Sequence, residues 1–170
     1  VAPGGATDGL FVNGNGGLDK IYVGAVAGDG MKAIESRVFV DGGGDSDELY
    51  YEDASGSNGE HQYTFGTAPA GWDQRLNFAV PPGGSRAIDS KGVAKYVLNG
   101  SPGKDIVKLE LVSAAAKGGF IVNGNAGDDE FYMGGDVQKL DDVLAGKITF
   151  DGGAGSDLLF IDDRKAAVGK

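Results

Sequence analysis

The chain predicts an all-β fold: a right-handed parallel β-helix, or solenoid, of about six coils with Gly/Asp-rich turns stacked along one corner. Three observations carry this expectation. Glycine fills 32 of 170 positions without a collagen-like period. Five turn-like segments align with one another without gaps, and each is followed by an alternating apolar run. A strand–turn–strand unit cannot bury its own apolar face, whereas stacked neighbours can, which is the logic of a solenoid.

The five segments are Val12-Asn-Gly-Asn-Gly-Gly-Leu-Asp19, Val40-Asp-Gly-Gly-Gly-Asp-Ser-Asp47, Leu98-Asn-Gly-Ser-Pro-Gly-Lys-Asp105, Val122-Asn-Gly-Asn-Ala-Gly-Asp-Asp129 and Phe150-Asp-Gly-Gly-Ala-Gly-Ser-Asp157. Their common pattern is U-[Asn/Asp]-Gly-x-x-Gly-x-Asp-x-U-x-U, with U apolar. The first glycine column (Gly14, Gly42, Gly100, Gly124, Gly152) and the aspartate column hold in all five. The second glycine column holds in four, with Asp45 as the exception. Successive aspartates lie 28, 58, 24 and 28 residues apart. A unit of that length, at roughly 3.3 Å per extended residue, fits one lap of a three-faced coil.

Residues 1–170 read as a single repeat domain with a degenerate coil or insertion around 55–90, where the long interval falls. Ala70–Phe78, with Asp73, is a loose remnant of the missing unit, and the same stretch holds His61, Trp72 and the Pro81–Pro82 pair. Stacking in register turns Ile21/Val23, Leu49/Tyr51, Val107/Leu109, Phe131/Met133 and Leu159/Ile161 inward. It turns Tyr22, Tyr50, Lys108, Tyr132 and Phe160 outward, as a stabilising stack or a carbohydrate surface. Met31–Ser36 and Val137–Leu144 carry some helical periodicity and precede a motif by the same interval, which suggests equivalent corners.

Composition narrows the functional classes. At 41% hydrophobic the chain is globular in character, and its 25 acidic against 15 basic residues give a net charge of −10. The absence of cysteine excludes disulfides and Cys-type zinc sites. The acidic balance argues against nucleic acid as a partner, and no apolar run approaches the ~18 residues of a membrane span. A chain that starts at Val1, with neither initiator Met nor signal peptide, reads as processed or excised.

The turns resemble the calcium-binding nonapeptide G-G-x-G-x-D-x-U-x of repeats-in-toxin (RTX, hemolysin-type) proteins. Gly152–Phe160 matches every defined position, and Gly124–Tyr132 departs only at the second glycine. The threefold longer period makes the chain similar to the long-period β-helical segments of large bacterial cell-surface and secreted proteins. That resemblance implies calcium held between stacked turns by backbone carbonyls and by Asp19, Asp47, Asp105, Asp129 and Asp157. Asp41, Asp45, Asp128 and Asp151 add carboxylates to the same corner. Calcium takes six to eight hard oxygens, and glycine lets carbonyls converge. The alternative is a metal-free ladder, in which Asn13, Asp41, Asn99, Asn123 and Asp151 bond one another and the later aspartates accept backbone amides.

Catalytic signatures are not found. His61 is the only histidine and reads as a surface or insertion residue. There is no G-x-S-x-G elbow and no P-loop, Gly14-Asn-Gly16 opens no helix, and Arg37, Arg75, Arg86 and Arg164 are scattered. The expected function is therefore a calcium-binding structural or adhesive β-helical module of an extracellular or cell-surface protein. No catalytic residue is assigned. The expected partners are calcium, a second copy stacked end to end as in a filament, and a glycan. The rival reading is a carbohydrate-binding or polysaccharide-modifying module of the lyase or epimerase kind.

Overall fold

The computed structural model describes residues 9–24, 30–54, 58–134, 140 and 146–163. They form two sheets. The larger holds β1 (Leu10–Asn13), β3 (Val38–Asp41), β7 (Ser85–Lys91), β6 (Gln74–Ala79), β5 (His61–Gly66), β9 (Asp105–Leu109), β11 (Glu130–Gly134) and β13 (Leu158–Asp162), in that spatial order. The smaller holds β12 (Ile148–Asp151), β10 (Gly119–Asn123), β8 (Val93–Asn99), β4 (Asp47–Glu52) and β2 (Lys20–Gly24). Each strand reads as alternating β-branched, aromatic and polar residues, which suits a surface buried on one side.

The expected β-helix is corrected here, and with it the RTX-like resemblance and the repeat architecture. There are two faces rather than three, and the larger sheet is mixed. β5, β6 and β7 run antiparallel to one another in an up-and-down meander inserted between the parallel pairs β3–β7 and β5–β9. The two sheets close over a common core, giving a β-sandwich-like domain rather than an open-ended repetition of one coil. The physical reason lies in residues 61–91. Their alternation supplies three more strands, and these extend the sheet sideways instead of completing another lap.

The turns do not share one corner either. At Gly14–Asp19 and Gly42–Asp47 the chain passes from the larger sheet to the smaller, β1 to β2 and β3 to β4. At Gly100–Asp105, Gly124–Asp129 and Gly152–Asp157 it passes from the smaller to the larger, β8 to β9, β10 to β11 and β12 to β13. Within each sheet the strands that flank these turns all run the same way, so turns leaving the larger sheet and turns entering it lie on opposite edges of the sandwich. The switch falls where β8 pairs with β4, whose register slips between Asp47 and Glu48.

Inside, motif columns meet as equals: Ile21 opposite Leu49, and Val107 opposite Phe131 opposite Leu159. Val23, Leu49, Tyr51, Val107, Leu109, Phe131 and Met133 are buried. At roughly 1.5–3 kcal/mol for each fully buried large apolar side chain, this column holds the layers together. Phe65 and Phe120 meet edge to face across the core at 4.6 Å. Leu159 and Ile161, expected to face inward, are instead about half exposed, because among the described residues no further strand covers β13.

Of the two helical segments, the first is a 3₁₀ turn over Gly30–Ala33. The second lies outside the described residues except for Leu140. No described helix is long and apolar enough to cross a membrane.

Candidate functional site

Each motif aspartate folds back onto its own turn. Its Oδ2 packs against the first glycine of the motif: Asp19 against Gly14, Asp47 against Gly42, Asp105 against Gly100, Asp129 against Gly124 and Asp157 against Gly152. In Asp47, Asp129 and Asp157 the Oδ1 faces the preceding layer and accepts a backbone amide there. Asp19 N donates to Asp47 Oδ1 at 2.9 Å, Asp105 N to Asp129 Oδ1 at 2.7 Å, and Asp129 N to Asp157 Oδ1 at 3.1 Å. Asp105 also receives Ser101, whose N and Oγ donate at 2.8 and 2.7 Å.

The four additional acidic residues have local partners. Asp45 accepts Gly17 N at 2.8 Å, and Asp128 accepts Ser156 N at 2.9 Å. Asp41 pairs with Lys91 at 2.8 Å, and Asp151 closes a turn by accepting Gly153 N at 3.2 Å. The structure thus shows the expected carboxylates as hydrogen-bond acceptors in two ladders, not as one nine-residue corner. Asn123 Nδ2 donates to Asn99 Oδ1 at 2.7 Å, which continues the asparagine column on the second edge.

Burial stresses these carboxylates. Desolvation, opposed by the Ser101 hydrogen bonds and reinforced by the Asp129 charge, pushes Asp105 up to about 7. Desolvation also raises Asp129, with Asp157 and Asp128 adding to the effect. Oδ2 of Asp19, Asp47 and Asp129 is buried without a hydrogen-bond partner. Such oxygens suit a hard cation in kind. Among the described residues no group of three or more His, Cys, Asp or Glu converges on one point. An ion there would draw most of its oxygens from backbone carbonyls, and calcium at these turns is a proposal that rests on the three orphaned oxygens.

His61, read from the sequence as a surface or insertion residue, is fully buried. It stands opposite Asp105 in the β5–β9 pairing, where an aspartate would stand in a regular unit. The degenerate unit is therefore His61–Phe65 rather than Ala70–Phe78. His61 Nδ1 lies 2.6 Å from Asp53 Oδ2, which also accepts Tyr63 Oη–H at 2.6 Å, while Asp53 Oδ1 accepts Met31 N at 2.7 Å. Burial, then the Asp105 and Asp53 charges, holds the Tyr63 phenol well above its ordinary pKa, so it serves as a neutral donor. Asp53, His61 and Tyr63 are all closed to solvent, which makes this cluster a joint between layers and not a place where substrate meets a base. The signal for it was the alternation His61-x-Tyr63-x-Phe65, in which the first residue shares the inward face with the two rings.

The aromatic column divides in the same way. Tyr22 and Tyr50 stack at 4.7 Å on the smaller sheet, whereas Tyr132 and Phe160 sit on the larger, 5.9 Å apart. Tyr22 and Tyr50 therefore share one sheet, and Tyr132 lies on the other.

The two ends of the sandwich differ from its middle. β1 and β13 are the edges of the larger sheet, and β2 and β12 those of the smaller. Among the described residues, every exposed large hydrophobic belongs to these terminal units: Leu10, Phe11, Leu18 and Tyr22 at one end, Leu158, Leu159, Phe160 and Ile161 at the other. Between β1 and β2 the core opens as a cavity of about 460 Å³ lined by residues such as Leu10, Val12, Val23 and Ile34.

No protein-family model matches the chain, and no curated protein or solved structure matches it either. The expected function is corrected together with its architecture. A calcium-binding β-helical adhesive module has no counterpart in a two-sheet sandwich whose turns lie on opposite edges and, among the described residues, bring no acidic set together. A lyase or epimerase site is likewise not formed among the described residues.

Proposed function

We propose that this domain is a non-catalytic structural unit that works by extending its two sheets into adjoining β structure. The observation behind this reading is the break in burial along a single column. Val107 and Phe131 are buried, and Leu159, next in the same column, is 49% exposed. An apolar column with one uncovered end, beside a free strand edge, is a template for another strand. For the 170-residue chain by itself, the strand available to that edge is the matching edge of a second copy.

Sedimentation velocity on the 170-residue chain tests the reading. The weight-average mass should rise with concentration. Phe11→Lys with Leu159→Lys should return the chain to monomer, since a charge on an edge blocks pairing. A wild-type chain that stays monomeric at all concentrations would overturn it.

A further inference from the structure

We infer that the cleft between the β6–β7 connection and the segment following Gly30–Ala33 binds a small monoanion, a carboxylate carried on an apolar or ring-shaped body. This cleft is separate from the open ends. It holds about 320 Å³, at the lower end of the ~300–1,000 Å³ usual for small-molecule sites.

Its apolar floor is the nearly buried Phe78, with the exposed Pro81–Pro82 pair lining the cleft beside it. Its charged lining is Lys32, Arg86 and Glu35, two cations against one carboxylate.

The arginines make the point sharper. Arg37 and Arg75 both close on the buried Asp89, at 2.6 and 2.7 Å. Arg86 has no carboxylate partner among the described residues. Its Nη1 donates to Gly84 O at 2.7 Å, which holds the guanidinium in place, while its Nε is buried without an acceptor. Lys32 likewise has no ion pair among the described residues. A planar carboxylate is the natural acceptor for a guanidinium edge, and the apolar floor takes the rest of the ligand. Glu35 offsets one of the two cations, so the cleft favours one negative charge over several.

Benzoate and the neutral benzamide, titrated into the 170-residue chain and followed by amide NMR shifts, test the site. Benzoate should shift Lys32, Gly83 and Gly84 saturably and bind at least tenfold more tightly than benzamide. Arg86→Gln should weaken benzoate about tenfold, and Lys32→Gln, at an exposed position, about threefold. Equal binding of the two probes, or benzoate affinity unchanged in both variants, would overturn the inference. If Arg86→Gln does not fold, the Lys32→Gln comparison decides alone.

Discussion

Asp47 Oδ2 lies 2.8 Å from the point where a Cβ on Gly42 would stand. The glycine and aspartate columns are therefore one feature: the carboxylate fills the space that the missing side chain leaves. The relationship recurs in all five turns, at opposite edges of the sandwich.

Gly124→Ala should consequently destabilise the domain by about 1–3 kcal/mol, the usual cost of forcing a methyl group into packed structure. Gly16→Ala is the control, because a Cβ at Gly16 meets nothing within 4 Å. That change should be neutral or slightly stabilising. Urea unfolding of both variants measures the contrast, and equal losses would show that the carboxylate does not depend on the first glycine.

Much of this arrangement was legible in the sequence, and the parts that were not have physical reasons. The columns at Gly14–Asp19 and its four counterparts mark the turns, and the alternating runs mark the strands and most of their buried residues. Which sheet a turn enters is not written in the turn. Gly14–Asp19 and Gly100–Asp105 have the same pattern and opposite roles, the first following a strand of the larger sheet and the second a strand of the smaller. His61 was hidden for a related reason. Its identity differs from the aspartate column it occupies, and only the pairing with Asp105 discloses the equivalence. That Arg86 has no carboxylate partner among the described residues is invisible in sequence, whereas Arg37 and Arg75 both have Asp89 within reach.

The Asp53–His61–Tyr63 joint makes a second prediction. Removing the imidazole leaves a fully buried carboxylate short of a partner, and an unsatisfied buried group costs about 1–3 kcal/mol, more when charged. His61→Ala should destabilise by about 2–4 kcal/mol in urea. The double variant Asp53→Asn/His61→Ala should lose less than the sum of the two single changes, which reports direct coupling. Strict additivity would show that the 2.6 Å contact carries no energy of its own.

Calcium is the third matter for measurement. Oδ2 of Asp19, Asp47 and Asp129 is buried and unpartnered, so a cation that reached these oxygens would stabilise the folded chain by linkage. The proposal expects a higher thermal midpoint in millimolar calcium than in EGTA, with the difference much reduced in Asp129→Asn. Identical midpoints in the two buffers would leave these aspartates as hydrogen-bond acceptors only.

Asp105 predicts how stability varies with pH. Desolvation raises its pKa to about 7 in the folded chain, against ~3.9 for an exposed aspartate. Between those values the folded state holds a proton that the unfolded state has lost, so stability falls as pH rises through that window. The contribution is fully present below about pH 4 and gone above about pH 7, the reverse of an aspartate held by a salt bridge. Since a tenfold change in proton affinity is worth about 1.4 kcal/mol, the effect is of the order of 2–4 kcal/mol. Other carboxylates titrate in the same range, so the informative quantity is the difference in unfolding free energy between the wild type and Asp105→Asn. That difference, wild type minus variant, should drop by about 2–3 kcal/mol between about pH 5 and pH 8. A difference that stays constant across this range would show that Asp105 ionises normally despite its burial.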